Sequence, residues 1–234
     1  METTMNYIAR SPIFETEKAF DTDFPVDNIE GARTVIVHPI QDPTYWDLDV
    51  HGFCILKEKT NLDPQDAFSR KREVQEDYWF EIEAILHEAF PRYSRIESYD
   101  CTGGAYMNLE HAFPRQNQFW EGKDFDILNV WRPLVGPCDD WPLALCDWTT
   151  IDPEADILLN DALRRDRVDE NSLLHFNPAH RWHYIDKQGT DDLLVFRNAD
   201  STGRRARGFH CSVPNPNATS EPRQSVEVRL VAFY

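Results

Sequence analysis

Residues 104–113 read GAYMNLEHAF and hold one histidine, His111, with Glu110 beside it and Phe113 two positions on. An imidazole near a carboxylate can ligate a divalent metal or move protons, provided both side chains reach one centre. Adjacent residues on a strand point to opposite faces, so Glu110 and His111 share a centre only across a bulge. Tyr106 and Asn108 add a phenol and an amide to the same stretch. Seven further histidines occur, at 38, 51, 87, 175, 180, 183 and 210, and most are expected to be structural. His87 falls where the last turn of a helix is expected, a position that favours a cation. No HExxH, GxSxG or Walker-type loop is present.

The elements that would position these groups follow from hydrophobic spacing. TVIVHPI (34–40) and GFCILK (52–57) are β-branched or apolar runs bounded by turn residues, and are expected to be strands. Between them and the second half, residues 63–90 carry a helical pattern. Val74, Tyr78, Ile82, Ile85 and Leu86 fall mostly three or four apart, Asp63 and Pro64 suit its start, and Pro91 ends it. From residue 93 short apolar runs alternate with Pro, Gly, Asp and Asn: 126–134, 142–148, 172–176, 181–185, 192–197 and 225–234. This spacing predicts an antiparallel β-sandwich or barrel with one long helix outside, and an open mouth where a small molecule can sit. No repeat or linker divides the chain, so residues 1–234 are expected to form one domain, with 1–34 as an irregular arm.

Composition narrows the function classes. Hydrophobic residues make up 41% of the chain, with 7 Trp, 8 Tyr and 14 Phe, which favours a packed core over disorder. The net charge of −17 repels phosphate backbones, so neither nucleic acid nor an anionic membrane is an expected partner. The dense basic cluster GRRARG (203–208) reads as a solvated loop or as a rim that attracts an anion. Five cysteines (54, 101, 138, 146 and 211) form no CxxC pair, and most are expected to be buried small hydrophobes. With no secretory signal and no bilayer-length apolar run, a cytoplasmic chain is expected.

Several segments occur in a fixed order: Asn129–Leu134 (NVWRPL), Pro142–Asp147 (PLALCD), His180–Tyr184 (HRWHY) and Arg223–Tyr234 (RQSVEVRLVAFY). In this order the chain resembles the gibberellin-desaturase-like family, which includes the cephamycin methoxylase accessory protein. The resemblance is close over 93–234 and looser over 48–90. It implies a double-stranded β-helix (cupin-like, jelly-roll) fold that holds non-heme iron and uses 2-oxoglutarate and dioxygen. In such sites two histidines and a carboxylate occupy one face of the iron, leaving the other open. The second histidine matches His210, and the co-substrate arginine matches Arg229, with Arg223 as its substitute. Arg132 and Arg181 lie in matched segments and are expected to line the pocket, whereas Trp131 and Trp182 are expected in the core.

The family's H-x-D motif is absent from this sequence. Either YMN replaces it, placing Tyr106 and Asn108 at the ligand positions, or HAF does, keeping His111 but placing Phe113 where the carboxylate belongs. Two imidazoles alone hold ferrous iron weakly, and Glu110 is the remaining candidate third ligand. The expectation from sequence is therefore a secondary-metabolism enzyme on this scaffold with a lost or altered metal site, using no cofactor. It would catalyse a cyclisation, isomerisation or dehydration of a small metabolite through His210, His111, Tyr106 and Arg229, with Arg132, Arg181, Asn108 and Arg223 binding substrate. The alternatives are an active Fe(II)/2-oxoglutarate oxygenase with an unusual triad, and a non-catalytic partner of another enzyme.

Overall fold

Alternation of side chains along the strands builds two facing sheets. The structure, a computed structural model, describes residues 1–22, 29–69, 71–99, 115–116, 120–163, 165 and 168–234. The larger sheet orders β4 (Phe53–Lys57), β11 (Asp192–Asp200), β6 (Phe125–Pro133), β13 (Ser225–Phe233) and β5 (Arg95–Ser98), all antiparallel. The smaller orders β1 (Glu2–Ile8), β3 (Ile29–Pro39), β10 (Trp182–Tyr184), β7 (Leu143–Cys146) and β12 (His210–Ser212). Here β10 runs parallel to β3, and the other pairs are antiparallel. A third sheet joins β2 (Ala19–Thr22), β8 (Ile157–Leu163) and β9 (Val168–Leu174).

The described part of residues 1–34 is therefore not an irregular arm. Glu2–Ile8 pairs with β3 from Glu2↔Ile36 onward, burying Thr3, Met5 and Tyr7 on one face. The helical stretch 63–90 is also not continuous. It divides into α2 (Pro64–Ala67), capped by the Asp63 carboxylate on the Gln65 N–H, and α3 (Arg72–Ala89). A shorter helix, α1 (Leu48–His51), precedes β4. Among the described residues, no helix is long and apolar enough to cross a membrane.

Helix α3 presents Tyr78, Ile82 and Leu86, one turn apart, to the outer face of the larger sheet. That face carries Leu128 and Val130 of β6, Leu193 and Val195 of β11, and Val228 and Leu230 of β13. Full burial of an Ile or Leu side chain contributes roughly 1.5–3 kcal/mol, so this seam is a major support of the sheet. With the even positions of β6 and β13 committed to the helix, the odd positions Asn129, Trp131, Glu227 and Arg229 face the space between the sheets. On the smaller sheet Ala144 and Cys146 pack outward, so Leu143 and Leu145 face inward. His210 and Ser212, paired with Leu145 and Leu143, face inward with them. Cys54, Cys138 and Cys146 are buried, and His87 lies in the last turn of α3.

Candidate active site

His210 is the centre of the polar recess between the sheets. Its Nδ1 lies 2.8 Å from the Gly208 carbonyl, which can only accept, so Nδ1 carries the proton and Nε2 keeps a free lone pair. That is the arrangement common to metal-binding histidines, whose other ring nitrogen is fixed by a second group. The ring is open to solvent yet densely surrounded by protein, and this desolvation lowers its pKa. Glu227 opposes that shift and Arg229 reinforces it. The imidazole is thus neutral at neutral pH, as a ligand or a proton acceptor must be.

The approach to His210 is set by close backbone packing. Gly52 caps α1 at φ +82°, and a Cβ there would lie 2.3 Å from the Arg207 carbonyl oxygen. A Cβ on Gly208 would lie 2.6 Å from that of Phe196. The fully buried Arg197 donates to the carbonyls of Leu48 and Ala206 and pairs with Asp49 and Asp126. Together these contacts hold 206–210 against β11. An inward layer continues from His210. Its ring lies 4.3 Å from Phe196, Phe196 pairs with Phe53, Trp46 stacks on Phe53 at 4.6 Å, and His183 lies 4.4 Å from Trp46. His183, pushed down to about 4 by burial, pairs with Leu145, which pairs with His210.

The two candidate arginines differ in their surroundings. Arg229 donates from Nε to Asn129 at 3.3 Å, and its Nη2 faces Glu227 at 3.9 Å. Arg223 donates from Nη1 to Ser212 Oγ at 2.6 Å and to the Trp141 carbonyl at 2.8 Å, and lies over the Trp131 ring. Among the described residues it has no carboxylate partner within 4 Å of its side chain. Ser212 stands two residues from His210 on the same face, a separation of roughly 7 Å along a strand. The carbon skeleton of 2-oxoglutarate spans roughly 5 Å, from C–C bonds of ~1.5 Å.

The other arginines lie elsewhere. Arg132 occupies an even position of β6 and is buried on the helix side, donating to Tyr78 OH at 3.0 Å and to the Pro133 carbonyl. Arg181 is exposed and donates to the carbonyls of Pro178, Ala179 and His180. Neither reaches the recess, because strand alternation and loop geometry turn them away. In GRRARG, Arg205 pairs with Asp124 and Asp126, and Arg207 packs near the Trp148 and Phe209 rings. Trp131 and Trp182 are buried as expected. Tyr106, Asn108, Glu110, His111 and Phe113 lie outside the described residues. Among the described residues, no three His, Cys, Asp or Glu side chains could hold a metal together. His210 nevertheless fits as one ligand, and the Arg223 guanidinium has the chemistry to hold a carboxylate. Asn129, Asn198 and Glu227 escaped the sequence reading, although Asn129 and Glu227 sit in the segments that carried the resemblance.

Two facing sheets with these polar groups between them define a double-stranded β-helix of the cupin, jelly-roll kind. The chain belongs to the family described as an oxidoreductase/YMDC permease-like domain, whose model matches residues 97–233. It is 28% identical over 222 residues to the Fe(II)/2-oxoglutarate-dependent dioxygenase nvfI of Aspergillus novofumigatus, covering 80% of this chain and 78% of the relative. It is 29% identical over 125 residues to the gibberellin cluster GA4 desaturase of Gibberella fujikuroi, covering 49% and 36%. The fold matches a solved structure of the iron and alpha-ketoglutarate-dependent endoperoxidase NvfI with a TM-score of 0.85 at 20% identity, over 100% of this chain and 97% of the other. The resemblance to the gibberellin-desaturase-like family is borne out. The expectation of a cofactor-free chain is overturned, since relatives are named as dependent on Fe(II) and 2-oxoglutarate. The expectation of lyase or isomerase chemistry finds no support among relatives named as a dioxygenase and a desaturase.

Proposed function

We propose that this chain is an Fe(II)- and 2-oxoglutarate-dependent oxygenase of secondary metabolism, acting on a small molecule. The observation that carries this reading is His210, its Nδ1 held by the Gly208 carbonyl and its Nε2 free, on the same strand face as Ser212, to which Arg223 donates; among the described residues the Arg223 side chain has no carboxylate partner. Bound iron with 2-oxoglutarate supplies the oxidising power that the side chains lack. His210 serves as one ligand, oriented by the Gly208 carbonyl. His111 and Glu110, the sequence's candidates for the remaining ligands, lie outside the described residues. Arg223, braced by Ser212 and Trp141, forks onto the far carboxylate of the co-substrate. Arg229 is the weaker candidate for that task, because Glu227 beside it opposes an incoming anion. Phe196, Phe53, Trp46 and Leu194 exclude water from one side of the recess.

The test is 2-oxoglutarate consumption with added Fe(II), followed as succinate, in the wild type and single variants. His210→Ala should abolish turnover. Arg223→Gln should raise the KM for 2-oxoglutarate about 10- to 100-fold, from losing a charge-assisted bond of roughly 1.5–3 kcal/mol. Arg229→Gln should change it far less. A wild-type protein that neither binds nor consumes 2-oxoglutarate in the presence of iron would overturn the proposal.

A further inference from the structure

Four polar side chains join into one hydrogen-bonded chain on the inward face of the larger sheet, beside Phe196 and Trp131. Asn198 Nδ2 donates to Asn129 Oδ1 at 2.6 Å, and Arg229 Nε donates to the same oxygen at 3.3 Å. Asn129 Nδ2 donates in turn to Glu227 Oε1 at 2.6 Å. Asn129 is fully buried and committed at both ends of its amide, so it fixes Glu227 and Arg229 relative to each other. The two charged side chains remain partly open, at 36% and 33% of their area. Among the described residues, Arg229 Nη1 and Glu227 Oε2 make no hydrogen bond. A donor edge and an acceptor therefore stand side by side, about an ion-pair distance apart, facing the same space as His210.

Both charged ends stand open to solvent on a fixed base, so a ligand that displaces their water must replace the hydrogen bonds that water makes. An anion placed there meets Glu227, and a cation meets Arg229. A neutral group that accepts from one and donates to the other meets neither penalty. We propose that Glu227 and Arg229, braced by Asn129 and Asn198, are the specificity-determining pair for substrate, and that they read a neutral hydroxy-carbonyl group. This rests on the oxygenase reading and extends it by assigning anion binding to Arg223 and neutral substrate recognition to Glu227 and Arg229.

The experiment titrates three probes on one skeleton into the protein loaded with Zn(II) and saturating 2-oxoglutarate. They are 2-hydroxyacetophenone (neutral), salicylate (anionic) and 2-hydroxybenzylamine (cationic), followed by ligand-observed magnetic resonance. The wild type should bind the neutral probe best. Glu227→Gln keeps the shape and the Asn129 contact, and should raise the salicylate-to-neutral affinity ratio ~10-fold or more, because the opposing charge is gone. Arg229→Gln should shift preference toward the cation, and the double variant should return it toward neutral. Wild-type preference for salicylate, ratios unchanged in both single variants, or no saturable binding of any probe would overturn the inference. The affinity for 2-oxoglutarate is measured on the same samples and should stay within a few-fold in Glu227→Gln. If 2-oxoglutarate fails to bind at all, the oxygenase reading falls. If it binds while the probes fail to discriminate, only the specificity assignment falls.

Discussion

Replacing Gly208 with alanine isolates the packing that aims His210. The added Cβ would meet the Phe196 Cβ at 2.6 Å and the Gly52 carbonyl oxygen at 3.0 Å. Both are bound to fixed backbone, so neither can swing aside. Ordinary contact is about 3.5–4.0 Å, so the strand must retreat by roughly 1 Å. Overpacking of this kind costs about 1–3 kcal/mol. The retreat also loosens the bond from the Gly208 N–H to the Arg197 carbonyl, and it moves the carbonyl that orients His210. Disturbing a group that orients a metal ligand lowers affinity roughly 10- to 100-fold. The assay is a urea midpoint together with Fe(II) affinity by competition against a chromophoric chelator. Gly203→Ala is the control. Its φ of +67° imposes strain of roughly 1–2 kcal/mol on an L-residue. Nothing lies within 4 Å of its Cβ, so iron affinity should not change. Equal loss of metal affinity in both variants, or no loss in Gly208→Ala, would refute the reasoning.

Arg132→Met should cost about 1–3 kcal/mol by leaving the buried Tyr78 hydroxyl without its partner, while the KM for 2-oxoglutarate stays unchanged in a steady-state assay. Arg181→Ala should leave turnover and substrate affinity near wild type, since its guanidinium is spent on nearby loop carbonyls. His183 is depressed by burial from 6.5 to about 4 in the folded protein, so below pH 6.5 the unfolded chain binds more protons than the native state. Its contribution is complete above pH 6.5 and is lost as pH falls toward 4. At ~1.4 kcal/mol per pH unit it amounts to at most about 3.5 kcal/mol, reduced by solvent access. Denaturant titrations between pH 7 and 4 should show His183→Gln flattening that decline, and an unaltered slope would count against it.

The strands of the second half were legible because alternation there coincides with burial, as in Val228, Leu230 and Ala232 of β13. β1 was not, because its buried face includes Thr3 and its outer face mixes Glu2, Thr4 and Asn6, which blurs the period. The break between α2 and α3 carries neither glycine nor proline, so local propensity gave no sign of it. At the site, His210 is proposed from its place in the segment order, whereas the preference for Arg223 over Arg229 rests on which arginine has a carboxylate beside it in space. Arg132 illustrates the same limit. Its segment matched, but parity along β6 turns it toward the helix.

The contacts around Arg197 bear on how the molecule reaches this state. One guanidinium joins residues 48–49, 126 and 206, and β11, which carries it, pairs with β4 across more than a hundred positions of sequence. Pairings so remote in the chain form slowly, because loop closure must come before any contact rewards it. The His210 segment gains its seat only after β4, β11 and α1 have met. Iron affinity should therefore appear in the last kinetic phase of refolding and vanish in the first phase of unfolding.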